Sequence, residues 1–218
     1  MELFFNTVSP LLKKVLLQLM NEPLFDPFRL VGGSNLSLRY GHRLSIDIDL
    51  FTDAEYDSLD FNTFEEYLTS QFSYYYSNYH GDIVGFGRSY YVGNSLDDCV
   101  KIDLMYSDPF IRDMEILHNI RMASVDDIVS MKMNIISRGG RKKDFWDIHY
   151  LLNLYSFKDM LSLHAERYEW EHEENLLIRN FTNFSIADNL PDPICTQNKG
   201  WDDIKLDLIE FTKHYKEA

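Results

Sequence analysis

The sequence predicts an α+β fold: a small mixed β-sheet flanked by helices over residues 1–122, followed by an all-α region over residues 123–218. Three observations lead there. Segment 45–51 alternates strictly between polar and apolar residues, 99–106 carries an alternating run over 100–105, and both read as strands. Segments of helical period, 9–20 and 61–76, surround the first of them. Beyond residue 123 the alternation stops, and Ser124-Val-Asp-Asp127 opens helical patterns that continue to about residue 216.

Each element has a local cause. Ser9-Pro10 is a helix cap followed by proline at the first helical position, and Leu11, Val15, Leu16 and Leu19 then share a face up to Met20. Pro23 and Pro27 bar its continuation. Residues 28–31 form a short apolar strand that stops at Gly32-Gly33, and Ser34 opens a short helix to Tyr40 that Gly41 closes. Ser45–Phe51 is the first alternating strand. A helix over 61–76 follows, then strands at 90–92 and 99–106 joined by a turn at Gly93-Asn94. Helices over about 125–137 and 142–155 flank Gly139-Gly140, and 159–179 and 202–216 are also helical in pattern.

Composition bounds the function. The apolar fraction of 45% can fill a sizeable core, and 15% aromatics argue against disorder. A net charge of −14 argues against holding nucleic acid by bulk positive charge. It is unevenly spread. Residues 44–110 carry 13 acidic and 2 basic side chains, whereas 121–150 carry 4 acidic and 6 basic. Cys99 and Cys195 are the two cysteines, with no CxxC, so a reduced, cytoplasmic protein is expected. The apolar opening is interrupted by Asn6, Pro10, Lys13 and Lys14, so neither a signal peptide nor a membrane span is expected.

The chemistry centres on Asp47 and Asp49. Residues two apart on a strand point to one face, so these carboxylates stand side by side and call for a cation. Mg²⁺ is the natural one, because it takes oxygen ligands and leaves positions for phosphate. A solvated edge strand would also carry two such aspartates. Asp103, on the second alternating strand, would complete a three-carboxylate cluster if the strands pair; otherwise Lys101 and Asp103 form an exposed polar face. Gly32-Gly33-Ser34, at a strand-to-helix turn, offers backbone N–H groups and a hydroxyl to a phosphate. Arg39, His42, Arg43, Lys132, Arg138, Arg141, Lys142 and Lys143 are cations that could offset a triphosphate. Lys132 lies in an apolar run, 128–136, which favours a specific role. Asp144 and Asp147 could cap a helix, orient these cations or act in catalysis.

Together, Gly32-Gly33-Ser34, Leu38-Arg39-Tyr40-Gly41-His42-Arg43, Ser45-Ile-Asp47-Ile-Asp49-Leu-Phe51, Asp103, Ser124-Val-Asp-Asp127, Lys132, Arg138, Lys143-Asp144-Phe145 and Asp147 resemble the AbiEii-type toxin nucleotidyltransferases. That family belongs to the polymerase-beta-like superfamily, and the resemblance covers about residues 28–155. It implies a nucleotidyltransferase catalytic domain over 1–122 and a helical domain over 123–218. It implies metal ligands Asp47, Asp49 and Asp103, holding two Mg²⁺ ions, and a catalytic set that adds Lys132 and Asp144. It implies nucleotide binding by Gly32, Gly33, Ser34, Arg43, Lys132, Arg138 and Lys143. The expected substrate is a nucleoside triphosphate, the favoured acceptor a tRNA 3′ end, and the expected partner an antitoxin of the winged-helix repressor type. Two alternatives stay open: transfer to a small molecule or protein, which suits an acidic chain, and a non-catalytic partner of a DNA-binding antitoxin.

Overall fold

A computed structural model describes residues 2–77 and 85–217. The chain divides into two compact units, Met1–Gly41 with Ser45–Ala123 and His42–Leu44 with Ser124–Ala218. Residues 42–44, assigned by sequence to the first domain, therefore pack with the second unit. The Leu44 N–H donates to the Ile194 carbonyl (2.8 Å), and the Thr196 N–H donates to the His42 carbonyl (3.1 Å).

The first unit contains α1 (Pro10–Met20), β1 (Arg29–Leu30), α2 (Gly32–Tyr40), β2 (Asp47–Thr52), α3 (Phe61–Gln71), β3 (Tyr74–Ser77), β4 (Gly87–Ser95), β5 (Asp98–Tyr106), β6 (Glu115–Leu117) and β7 (Ile120–Met122). The strands form one mixed sheet in the order β3-β4-β5-β2-β1-β7-β6. β2 runs parallel to β5 and β1 parallel to β7, and the other neighbours are antiparallel. The Ser9 side chain accepts the Leu12 N–H at 3.0 Å and so starts α1 where the sequence predicts. Leu12, Val15, Leu16 and Leu19 of that helix join Ile48, Leu50, Ile102 and Leu104 of the sheet in one buried core. Each such side chain contributes about 1.5–3 kcal/mol by leaving water. The alternation of β2 then dictates the other face. With Ile48 and Leu50 buried, Asp47, Asp49 and Phe51 point the opposite way and are half-buried.

Four local expectations change. The helix after Phe61 ends at Gln71, and Tyr74–Ser77 instead pair with β4 as a strand. The β4–β5 turn lies at 96–97 rather than at Gly93-Asn94. Gly93 sits within β4, where a Cβ would run into the Asp98 carbonyl and the Cys99 Cα at a bulge. The hairpin β6–β7 was not foreseen; it turns through His118 and Asn119, both at positive φ (50° and 63°). Finally, α2 begins at Gly32, two residues before Ser34.

The second unit holds α4 (Val125–Ser137), α5 (Lys142–Leu151), α6 (Phe157–Arg167), α7 (Glu174–Asn180) and α8 (Trp201–Glu217). Ser124 caps α4, accepting the Asp127 N–H at 3.1 Å. α5 stops at Leu151, four residues short of its expected end, and the expected 159–179 helix is broken between α6 and α7. Phe145, Phe184 and Trp201 pack edge to face, and Arg167 pairs with Asp127 at 2.7 Å with neither side chain exposed.

His164, fully buried on α6, faces His172 with their Nδ1 atoms 2.9 Å apart. Burial, aided by His172, pushes the His164 imidazole down to about 4. Its folded pKa thus lies below its unfolded value near 6.5, so its contribution to stability is complete above about 6.5 and is lost as pH falls toward 4. The chain should lose on the order of 1 kcal/mol between pH 7 and 5 from this residue. Urea midpoints at the two pH values test this; His164→Phe should flatten the difference, and an unchanged difference would contradict the assignment.

Candidate functional site

The polar face of the sheet in the first unit gathers the acidic residues. Along the parallel β2–β5 ladder, Asp49 pairs in register with Asp103 and Asp47 with Lys101. Registered partners point to one side, so Asp47, Asp49, Lys101 and Asp103 share a face. The pairing of the two alternating strands is the condition that the sequence left open, and it is met. The three carboxylates nevertheless do not converge. Among the described residues, no three His, Cys, Asp or Glu side chains come together at a point that could hold a metal ion. Asp103 accepts the Ser89 hydroxyl at 2.5 Å on one oxygen and the Lys101 ammonium at 2.6 Å on the other. Burial depresses Lys101, but the hydrogen bond and charge of Asp103, with the charges of Asp47 and Asp49, outweigh it and leave the ammonium above the usual lysine value. Lys101 was legible as the residue two before Asp103 on one face. Ser89 lay outside any motif.

The glycine turn abuts this face. Gly32 has φ +70°, and a Cβ there would collide with the Asp49 carboxylate. The Val31 N–H donates to the Asp49 carbonyl at 2.9 Å, which ties the start of α2 to β2. Any residue but glycine at 32 would meet both a strained backbone and an occupied space. The Ser34 side chain is fully buried and engages Ser45 Oγ (2.9 Å) and the Asp47 carbonyl. Its hydroxyl therefore joins helix to strand within the fold, and what this turn presents is backbone.

The second unit assembles a buried ionic network. Asp147 accepts from His42 Nε2 (2.7 Å) and from Arg43 through both Nε (2.7 Å) and Nη2 (2.8 Å). Lys132 Nζ lies 2.6 Å from Asp144 Oδ1 and 2.7 Å from Asp147 Oδ2. Asp144 also accepts the Arg141 N–H (3.1 Å) and Nε (3.0 Å). A carboxylate only accepts, so the His42 proton sits on Nε2, and its buried Nδ1 has no hydrogen-bond partner among the described residues. Burial alone would raise both carboxylates. Arg43 and Lys132 instead hold Asp147 well below the usual range, and Lys132 and Arg141 lower Asp144. The same attraction overcomes desolvation at Lys132 and raises it.

Thus Arg43, Lys132 and Asp144 come together as a set, with Asp147 and His42 as members that the sequence had not assigned to a site. Of the roles left open for Asp147, orientation of neighbouring cations is the one its contacts match. Arg138 stands apart from that network, exposed and paired with Glu171. Lys142 pairs with Asp192 (2.8 Å) beside the Trp201 ring. Lys143 is half-buried on α5.

The chain matches the family model for the nucleotidyl transferase AbiEii toxin, type IV toxin–antitoxin system, over residues 14–218. It is 29% identical over 169 residues to the uncharacterized protein aq_aa25 of Aquifex aeolicus strain VF5, covering 74% of this chain and 76% of that protein. The fold is similar to that of MenT4, a nucleotidyltransferase toxin of Mycobacterium tuberculosis H37Rv, with a TM-score of 0.60, 12% identity, and coverage of 93% of this chain and 80% of that one. It is also similar to JHP933 of Helicobacter pylori, with a TM-score of 0.58, 17% identity, and coverage of 94% and 90%. No helix among the described residues is long and apolar enough to cross a membrane.

Proposed function

The chain belongs to the AbiEii nucleotidyl transferase toxin family and is a nucleotidyltransferase; from that premise we propose that it moves a nucleoside monophosphate from a triphosphate to an acceptor hydroxyl. The acceptor oxygen attacks the α-phosphorus in line, the bond to the bridging oxygen breaks, and pyrophosphate leaves. The observation that carries this reading is the placement of Asp47, Asp49 and Asp103 on one face beside the glycine turn at Gly32.

Asp47 and Asp49 fit Mg²⁺ by their chemistry, because that ion is held by one or two carboxylates and completed by substrate phosphates. When bound, it supplies positive charge to the phosphate oxygens as negative charge develops on the leaving group. The backbone N–H groups at the start of α2, from Gly32 and Gly33, receive the distal phosphates, and Ser34 positions that helix start against β2. Asp103, in register with Asp49, would take the acceptor's proton. Within the second unit, Asp144 and Asp147 hold Arg43 and Lys132 in place. Residues 1–122 and 123–218 would then serve as catalytic and helical domains, in a cytoplasmic protein with a cognate antitoxin.

A tRNA 3′ end is the favoured acceptor, and a small molecule or protein is the reading that the −14 charge favours. Incubation with each α-³²P-labelled nucleoside triphosphate, in the presence of total tRNA, polyols or cell protein, tests both. Label should move to RNA with release of pyrophosphate, and EDTA should abolish it. Transfer to non-RNA material alone would replace the tRNA reading, and no transfer to any acceptor would remove the proposal.

A further inference from the structure

The family resemblance implies two metal ions, yet the ammonium of Lys101 lies 2.6 Å from Asp103 Oδ2, and the registered neighbours of Lys101 and Asp103 on β2 are Asp47 and Asp49. We infer that Lys101 is the resident second cation of this carboxylate face, so that the site takes up a single divalent ion, at Asp47 and Asp49. This rests on the metal reading proposed above and deepens it.

Three observations support the inference. Asp103 has both oxygens engaged, one by the Ser89 hydroxyl and one by Lys101, so an ammonium already supplies the positive charge that a second ion would bring to it. Three carboxylates carry −3, and one ammonium reduces this to −2, which a single divalent ion neutralises. Among the described residues no three acids meet at a point that could hold a metal ion, whereas Asp103 and Lys101 do meet. Lys101 is about one-third exposed, so its ammonium can be removed without opening a cavity in the core.

The test is titration of the full chain with Mn²⁺, followed by the EPR signal of the free ion. The wild type should take up one equivalent. Lys101→Met should bind Mn²⁺ about tenfold or more tightly, because a positive charge has been removed from its vicinity, and should take up a second equivalent. Lys101→Arg, which keeps the charge, should behave as the wild type. Equal stoichiometry and affinity in the wild type and Lys101→Met, with uptake lost in Asp47→Asn, would overturn this inference while leaving the metal reading intact. Uptake unaffected by Asp47→Asn and Asp49→Asn would overturn both.

Discussion

Asp147→Asn should destabilise the second unit by about 3–5 kcal/mol, the cost of leaving buried charge without its partner. The side chain is fully buried and serves three cationic or polar groups, Arg43, Lys132 and His42. Asparagine keeps the shape but removes the charge and offers an N–H where Arg43 and Lys132 also present N–H groups. Arg43 would lose its two-pronged carboxylate partner, and Lys132 one of its two. At about 2–4 °C per kcal/mol for a chain of this size, the melting temperature should fall by roughly 10 °C. The control is Asp192→Asn, which breaks the more exposed pair with Lys142 and should cost under about 1 kcal/mol. The pH dependence has a fixed sign. The Asp147 carboxyl lies well below its unfolded value of 3.8, so its contribution is complete above that range and is lost as pH falls through it. A fall of less than about 2 °C for Asp147→Asn at neutral pH would show that the network does not hold the unit together.

That network is also where the sequence was least readable. Lys132, Asp144 and Asp147 were visible as charges in and beside apolar helical runs, but their pairing with His42 and Arg43 joins residues about a hundred positions apart. No local pattern encodes such a distance. The acidic strands are the opposite case. Alternation is a property of six or seven neighbouring residues, so the shared face of Asp47 and Asp49 was legible, and Asp103 on its own strand likewise. The strand at Tyr74–Ser77 was lost because the helical period from Phe61 runs on into three tyrosines, whose pairing with β4 is tertiary. Three-residue strands such as β6 and β7 are too short to show a period, and their turn lacks the glycine that would have marked it. Glycines misled in one place and informed in another. Gly93 marks a close approach between strands rather than the turn, whereas Gly32 does stand where backbone meets the Asp49 carboxylate.

That meeting of Gly32 with Asp49 frames the second large effect. Asp47→Asn and Asp49→Asn should each reduce nucleotidyl transfer by about a thousandfold or more, near 4 kcal/mol of transition-state stabilisation, while leaving the fold intact. The two effects separate because the side chains and the backbone of β2 do different work. The strand is held by its ladder to β5 and β1 and by Ile48 and Leu50 in the core, none of which the substitutions touch. Ser34 holds the Asp47 carbonyl, and Val31 holds the Asp49 carbonyl, so the start of α2 stays in place when either carboxylate becomes an amide. What is lost is charge. An amide is a weak ligand for a hard divalent ion, and its NH₂ cannot accept a hydrogen bond from an ammonium. Neutralising an acid at a polar face can even raise thermal stability by relieving repulsion among Asp47, Asp49 and Asp103. Melting temperatures within a few degrees of the wild type, with transfer of ³²P label lost, are therefore the expected pair of results. Asp57→Asn, an exposed acid of the loop after β2, should leave both unchanged. Retention of transfer in Asp47→Asn and Asp49→Asn would separate the reaction from this face of the sheet, however well the fold matches its relatives.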